Sequence, residues 1–107
     1  MSGNLQLMLR GSCLSMPVCK VAPVLTGDFF VGGYGSWTDG TWVGSPSPTT
    51  SLNNMQCSTD LINWDFCNPF FLNPFQQGWA GVYIKHAITG SNSVGSVVAW
   101  SEPRQVL

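Results

Sequence analysis

The sequence predicts an all-β fold, a sandwich or barrel of short antiparallel strands. Three observations point there. No window of about a dozen residues repeats apolar side chains at i, i+3, i+4 and i+7 without a Gly or Pro interrupting it, so helix signals are nearly absent. Twelve Gly and seven Pro punctuate short runs rich in Val, Ile, Trp and Phe, which is the spacing of strands joined by turns. The segment running from Val82 to Thr89 alternates, so Ile84, His86 and Ile88 share one face of an extended strand.

The elements follow in chain order. Leu5, Leu7 and Leu9 alternate with Gln6 and Met8, as in an extended strand with one apolar face. Residues 1–20 are therefore expected to form an extended N-terminal docking arm, with Leu5, Leu7, Met8 and Leu9 as the partner-binding residues. The body is expected to span residues 21–107, with strands near residues 21–26, 35–42, 52–57, 70–72, 82–89 and 96–101 and a further short one around 62–66. Proline holds φ near about −65° and has no backbone N–H, so Pro46 and Pro48 mark a strand-to-strand connection. Trp42, just before them, is a natural core anchor. Residues 90–96 read as a hairpin turn, residues 97–100 as the returning strand, and Pro103 as its end.

At 107 residues the chain is one domain, long enough to bury a modest core. Its charged fraction is 8%, where about 25% is typical. Arg10, Lys20, Lys85 and Arg104 oppose Asp28, Asp39, Asp60, Asp65 and Glu102. Phosphate binding needs several clustered cations, and four scattered ones make no such patch, so nucleic acid is excluded as a partner. A net charge of −1 favours association over solubility, which suits a subunit of a large multimeric assembly. No apolar stretch is long enough for a helical membrane span, and a membrane partner is not expected. The first ten residues lack a basic leader region, and Arg10 interrupts their apolar run, so they do not read as a secretory signal. The expectation is a chain kept in the cell that makes it, or released by lysis.

The four cysteines form two local pairs, Cys13 with Cys19 and Cys57 with Cys67, and neither has the tight spacing of a zinc site. Cys57 and Cys67 fit either a disulfide closing a short polar loop or two buried thiols. Cys13 and Cys19 read as small apolar residues of the arm. His86 is the only histidine, and no nucleophile elbow, His-Glu-x-x-His or phosphate-binding loop accompanies it. It is expected as a satisfied or half-buried strand residue, and no catalytic, cofactor-binding or metal-ligating residue is expected anywhere. Asp60 and Asp65, separated by Leu61, Ile62 and Trp64, read as loop-solvating residues rather than calcium ligands. Asp39 before Gly40 reads as a turn residue. Five tryptophans invite a sugar-stacking role. Trp42 is accounted for as core, while Trp37, Trp64, Trp79 and Trp100 fit either the core or an exposed binding surface. The same two readings apply to Phe70 and Phe71, set between Pro69 and Pro74, and to Phe75, which follows Pro74.

Several short motifs follow one another along the chain. The first is Ala22-Pro23-Val24-Leu25-Thr26-Gly27, followed by Val31-Gly32 and then by the Gly-Thr-Trp and double-proline run from Gly40 to Thr49. Met55-Gln56-Cys57 comes next, with a second cysteine at Cys67. Gly81-Val82-Tyr83-Ile84 and the Thr89 to Ser96 turn close the series. Together they resemble the immunoglobulin-like repeat domains of bacterial surface proteins and phage structural proteins, over roughly residues 21–107. Met55 stands where that family usually has Trp, and Trp79 stands near the place of its usual Asp. The resemblance implies an immunoglobulin-like antiparallel β-sandwich over those residues, and it leaves the preceding arm unexplained. The expected function is that of a phage virion structural protein, foremost a small capsid decoration or cement protein. It would carry an exposed immunoglobulin-like domain and hold other virion proteins, capsid or tail subunits, through Leu5, Leu7, Met8 and Leu9. The alternative is a carbohydrate- or receptor-binding module on a tail or capsid fibre, with exposed tryptophans against a host-surface glycan.

Overall fold

The computed structural model describes residues 13–68 and 74–107. Within them the regular structure is β-strand apart from one turn of 3-10 helix at Gln77–Trp79, with the rest in turns and loops. The strands are β1 (Ser15–Val21), β2 (Leu25–Gly27), β3 (Gly35–Trp37), β4 (Thr41–Ser45), β5 (Thr49–Ser58), β6 (Asp65–Phe66), β7 (Tyr83–Ser91), β8 (Ser96–Trp100) and β9 (Arg104–Gln105). All pairings are antiparallel. β1 pairs with β4, β2 pairs with β3, and the main sheet runs β6-β5-β7-β8, with β9 also on β7.

The β5–β7 ladder organises the molecule. Ile84, His86 and Ile88 are buried on one face of β7, as the alternation predicts. Cys57 lies opposite Ile84, Met55 opposite His86 and Leu52 opposite Ile88, so all six face the same way. Leu52 and Met55 have opposite parity along β5. An irregularity between Leu52 and Asn54, with Asn53 as the extra residue, restores them to one face. Leu25, Phe29, Met55, Cys67, Phe75, Ile84 and Val106 form the core, with Trp37, Trp79 and Val82 packed against it. The rings of Phe29 and Phe75 meet at 5.0 Å, tilted by 57°. The last residues close over this core: Val106 N–H donates to Val82 O, and Leu107 N–H to Phe29 O.

Several boundaries differ from expectation. The segment expected as one strand over residues 21–26 divides into β1 and β2, with Pro23 fully buried between them. β1 begins at Ser15, so residues 15–20, placed by the sequence in an arm, are paired with β4 and belong to a sheet. The alternation that suggested an arm lies upstream at Leu5, Leu7 and Leu9 and gave no partner for residues 15–20. Residues 35–42 divide into β3 and β4, because Gly40 turns the chain in the left-handed region at φ 80°. A Cβ at Gly40 would also collide with Val21 O. The strand expected over 62–66 shrinks to Asp65–Phe66, because Asp60 organises the preceding residues into a turn. Pro103 ends β8 as expected, but β9 follows directly and was not foreseen. Leu5, Leu7, Met8, Leu9, Phe70, Phe71 and the strand expected at 70–72 lie outside the described residues.

Candidate functional site

The side of the main sheet turned away from the core carries an unusual grouping. In the β5–β7 ladder Gln56 lies opposite Lys85 and Asn54 opposite Ala87, and in the β7–β8 ladder Trp100 also lies opposite Ala87. Directly opposed residues share a face, and so do Lys85 and Ala87, two apart on one strand. Gln56, Asn54, Lys85 and Trp100 therefore stand together, and Phe66, opposite Gln56, extends the row onto β6. Ala87 is wholly covered, while Trp100 is 41% exposed and Phe66 is 72% exposed. Trp64, from the turn before β6, joins them. Lys85 Nζ lies 4.3 Å from the centre of the Trp64 ring and 4.8 Å from that of Trp100, so one ammonium faces two indoles.

The turn that carries Trp64 is fixed at both ends. Cys57 and Cys67 are joined by a disulfide, with Sγ atoms 2.09 Å apart, which realises the first of the two alternatives open in the sequence. Inside the loop the Asp60 carboxylate is fully engaged. Its Oδ1 accepts from Ser58 Oγ at 2.9 Å, Ile62 N–H at 2.9 Å and Asn63 N–H at 2.8 Å, and its Oδ2 accepts from Asn63 Nδ2 at 2.8 Å. The backbone N–H donors of Asn63 and Ile62 hold its pKa well below the usual carboxylate range. A cleft of about 500 Å³ adjoins this loop, lined by Ser58, Asp60, Asp65, the disulfide and Trp79. Asp60 is committed to the turn and does not supply a free base or ligand there. No group of three or more His, Cys, Asp or Glu that could hold a metal occurs among the described residues.

His86 is fully buried in the core face of β7. Its Nε2 lies 3.0 Å from Thr38 O, and a carbonyl only accepts, so the proton sits on Nε2. Nδ1 is buried with no partner. Burial lowers the pKa of the ring against the opposing pull of Thr38 O and Asp39. The only histidine is thus a structural link between β7 and the β3–β4 connection. Asp39 caps that connection: its O accepts from Trp42 Nε1 at 2.8 Å and its Oδ2 from Thr50 Oγ1 at 2.7 Å. Trp42 is half-buried, Trp37 and Trp79 pack on the core, and Phe75 is buried within it. Cys13 and Cys19 are free thiols, Cys13 exposed and Cys19 half-buried.

Of the four tryptophans left open by the sequence, the structure brings Trp64 and Trp100 together and sends Trp37 and Trp79 to the core. Lys85, Gln56 and Asn54 were not singled out in the sequence. The alternation of β7 does set Lys85 opposite Ile84 and Ile88 in facing, and that was the available signal. No helix of the described residues is long and apolar enough to cross a membrane. No protein-family model matches the chain, and no curated protein or solved structure matches it either.

Proposed function

We propose that the chain is a non-enzymatic structural protein of a phage particle, a small capsid decoration or cement protein. In this reading the β body is an immunoglobulin-like sandwich facing outward, and the N-terminal segment with β1 attaches to other virion proteins. The observation that carries it is β1. Its pairing partner among the described strands is β4 on one side, and Met16, Val18 and the preceding Leu14 remain 42%, 48% and 64% exposed. An apolar row beside an open strand edge is suited to strand addition, in which main-chain hydrogen bonds supply affinity. The alternation of Leu5, Leu7 and Leu9 upstream offers a further segment of the same kind. The burial of His86, the only histidine, favours a scaffold over an acid–base catalyst.

Quantitative mass spectrometry of purified particles tests this. The full-length chain is expected at hundreds of copies per particle, and the variants Leu7→Asp with Leu9→Asp and Met16→Asp with Val18→Asp are expected to be depleted from particles while remaining folded. Absence of the unaltered chain from particles rejects the proposal, and a dozen or fewer copies moves it to the tail or vertex.

A second reading is favoured by the Trp64–Lys85–Trp100 grouping: a carbohydrate- or receptor-binding module on a tail or capsid fibre. Exposed aromatic rings beside unused amides are the ordinary equipment of a sugar-binding surface. Substituting Trp100 separates the two, since attachment through β1 does not involve it.

A further inference from the structure

We infer that the outer face of β5, β7 and β8 binds a carboxylated sugar, with Lys85 receiving the carboxylate and Trp100 the C–H face of the ring. This presupposes the glycan-binding function set out as the second reading above, and adds to it a site and a ligand class.

Four properties of the face converge on that ligand. First, Lys85 has no carboxylate partner among the described residues, and its contacts are the two indole rings. An ammonium carries three N–H donors, and an aromatic face attracts the charge without accepting them as a carboxylate does. An incoming carboxylate therefore displaces no existing ion pair. Second, the side-chain amides of Gln56 and Asn54 make no hydrogen bond among the described residues, although both lie on this face. Each offers a carbonyl acceptor and two N–H donors, the complement of sugar hydroxyls. Third, Trp100 and Phe66 expose ring surface at the two ends of this polar strip. Electron-rich aromatic faces repel a bare anion and attract the polarised C–H groups of a sugar ring. Fourth, the disulfide and the Asp60 turn hold the loop carrying Trp64, so part of the surface is ordered before ligand arrives.

These properties discriminate among ligand classes. A neutral sugar can accept from the Lys85 ammonium through its hydroxyls but leaves its charge unpaired. A simple anion leaves the rings and amides unanswered. A polyphosphate chain needs a series of cations, and this face supplies one. A hexuronic or sialic acid residue answers the ammonium, the amides and the rings together, with its carboxylate, its hydroxyls and its C–H face on one small frame. Both kinds carry the same recognised chemistry and differ in where the carboxylate stands on the ring.

Isothermal titration calorimetry and tryptophan fluorescence on the full-length chain test the assignment. The probes are trigalacturonate and 3′-sialyllactose, with lactose as the neutral control and acetate as the bare anion. At least one carboxylated probe is expected to bind and to change tryptophan emission, with lactose and acetate weaker by about tenfold or more. Lys85→Gln is expected to bring the carboxylated probe down to the level of lactose, and Trp100→Ala to weaken both sugars. Circular dichroism verifies that both variants keep the fold. Galacturonate binding alone assigns a uronic acid, and sialyllactose binding alone assigns a sialic acid. Lactose binding as tightly as the acidic sugars, or an unchanged Lys85→Gln, overturns the carboxylate assignment and leaves glycan binding standing. Acetate matching the acidic sugars also overturns it, as a plain anion site. No binding of any sugar rejects both this site and the glycan-binding function.

Discussion

The Trp42 indole fills the space that a side chain on residue 90 would need. A Cβ built on Gly90 would lie 2.7 Å from Trp42 Cζ3 and 2.8 Å from its Cδ2, closer than carbon atoms pack. The ring is also tethered, since Nε1 donates to Asp39 O at 2.8 Å. β4 and β7 belong to different sheets, and this contact is one of the places where they meet.

Gly90→Ala should therefore destabilise the fold by about 1–3 kcal/mol, the usual cost of forcing an extra methyl into packed space. Urea denaturation measures it. Combining it with Trp42→Ala should cost less than the sum of the two single changes, because the clash disappears with the ring. Strict additivity would show that the two residues do not compete for this space.

Stability should depend on pH through His86. Burial lowers its pKa in the folded state, and the unfolded value is about 6.5. The folded form then binds fewer protons than the unfolded form once pH falls below about 6.5, so the full contribution is present above that value and is lost as pH falls toward the folded pKa. Its limiting slope is about 1.4 kcal/mol per pH unit. The physical cause is burial, which disfavours the charged ring; protonation would also place an N–H on the buried Nδ1, which has no partner beside it. Urea midpoints between about pH 7 and pH 5 should fall for the unaltered chain and stay level for His86→Gln. Equal slopes for the two would place the titration elsewhere.

The Cys57–Cys67 disulfide closes a loop with a sequence separation of 10. A cross-link of that span contributes about 3 kcal/mol in the chain-entropy model. Replacing both cysteines by Ala should lower unfolding free energy by roughly this amount and expose residues 58–66 to limited proteolysis. Trp64 sits in that loop, so the fluorescence of the variant should report a more solvated indole. A variant as stable as the parent would assign the loop's order to the Asp60 turn alone.

Arg104 ties the end of the chain to β2. Its Nη1 donates to Leu25 O at 3.1 Å, its Nη2 to Gly27 O at 3.3 Å, and its guanidinium stands 4.6 Å from the Phe29 ring centre. Arg104→Ala should cost about 1.5 kcal/mol, and Arg104→Lys should recover less than half of it, because an ammonium cannot make the forked contact while lying over a ring. Thermal unfolding of the two variants gives the comparison, and full recovery by Lys would reduce the contact to charge alone.

What the sequence by itself determined is local. The alternation of residues 82–89 set Ile84, His86 and Ile88 on the buried side of β7, because consecutive side chains on a strand must point to opposite faces. The prolines after Trp42 marked the end of β4, because a residue without N–H cannot donate to the ladder and two of them close together favour a turn. The tertiary structure decided everything that depends on partners. It gave β1 to β4, which took residues 15–20 out of an expected arm. Through the extra residue at Asn53 it put Leu52 and Met55 on one face despite their parity. It also chose which tryptophans became core and which met Lys85 at the surface. Side-chain direction follows from the geometry of neighbouring peptides and is written in the order of residues. Strand partners and register follow from which distant segments bury the most apolar surface together, and only the assembled fold settles that.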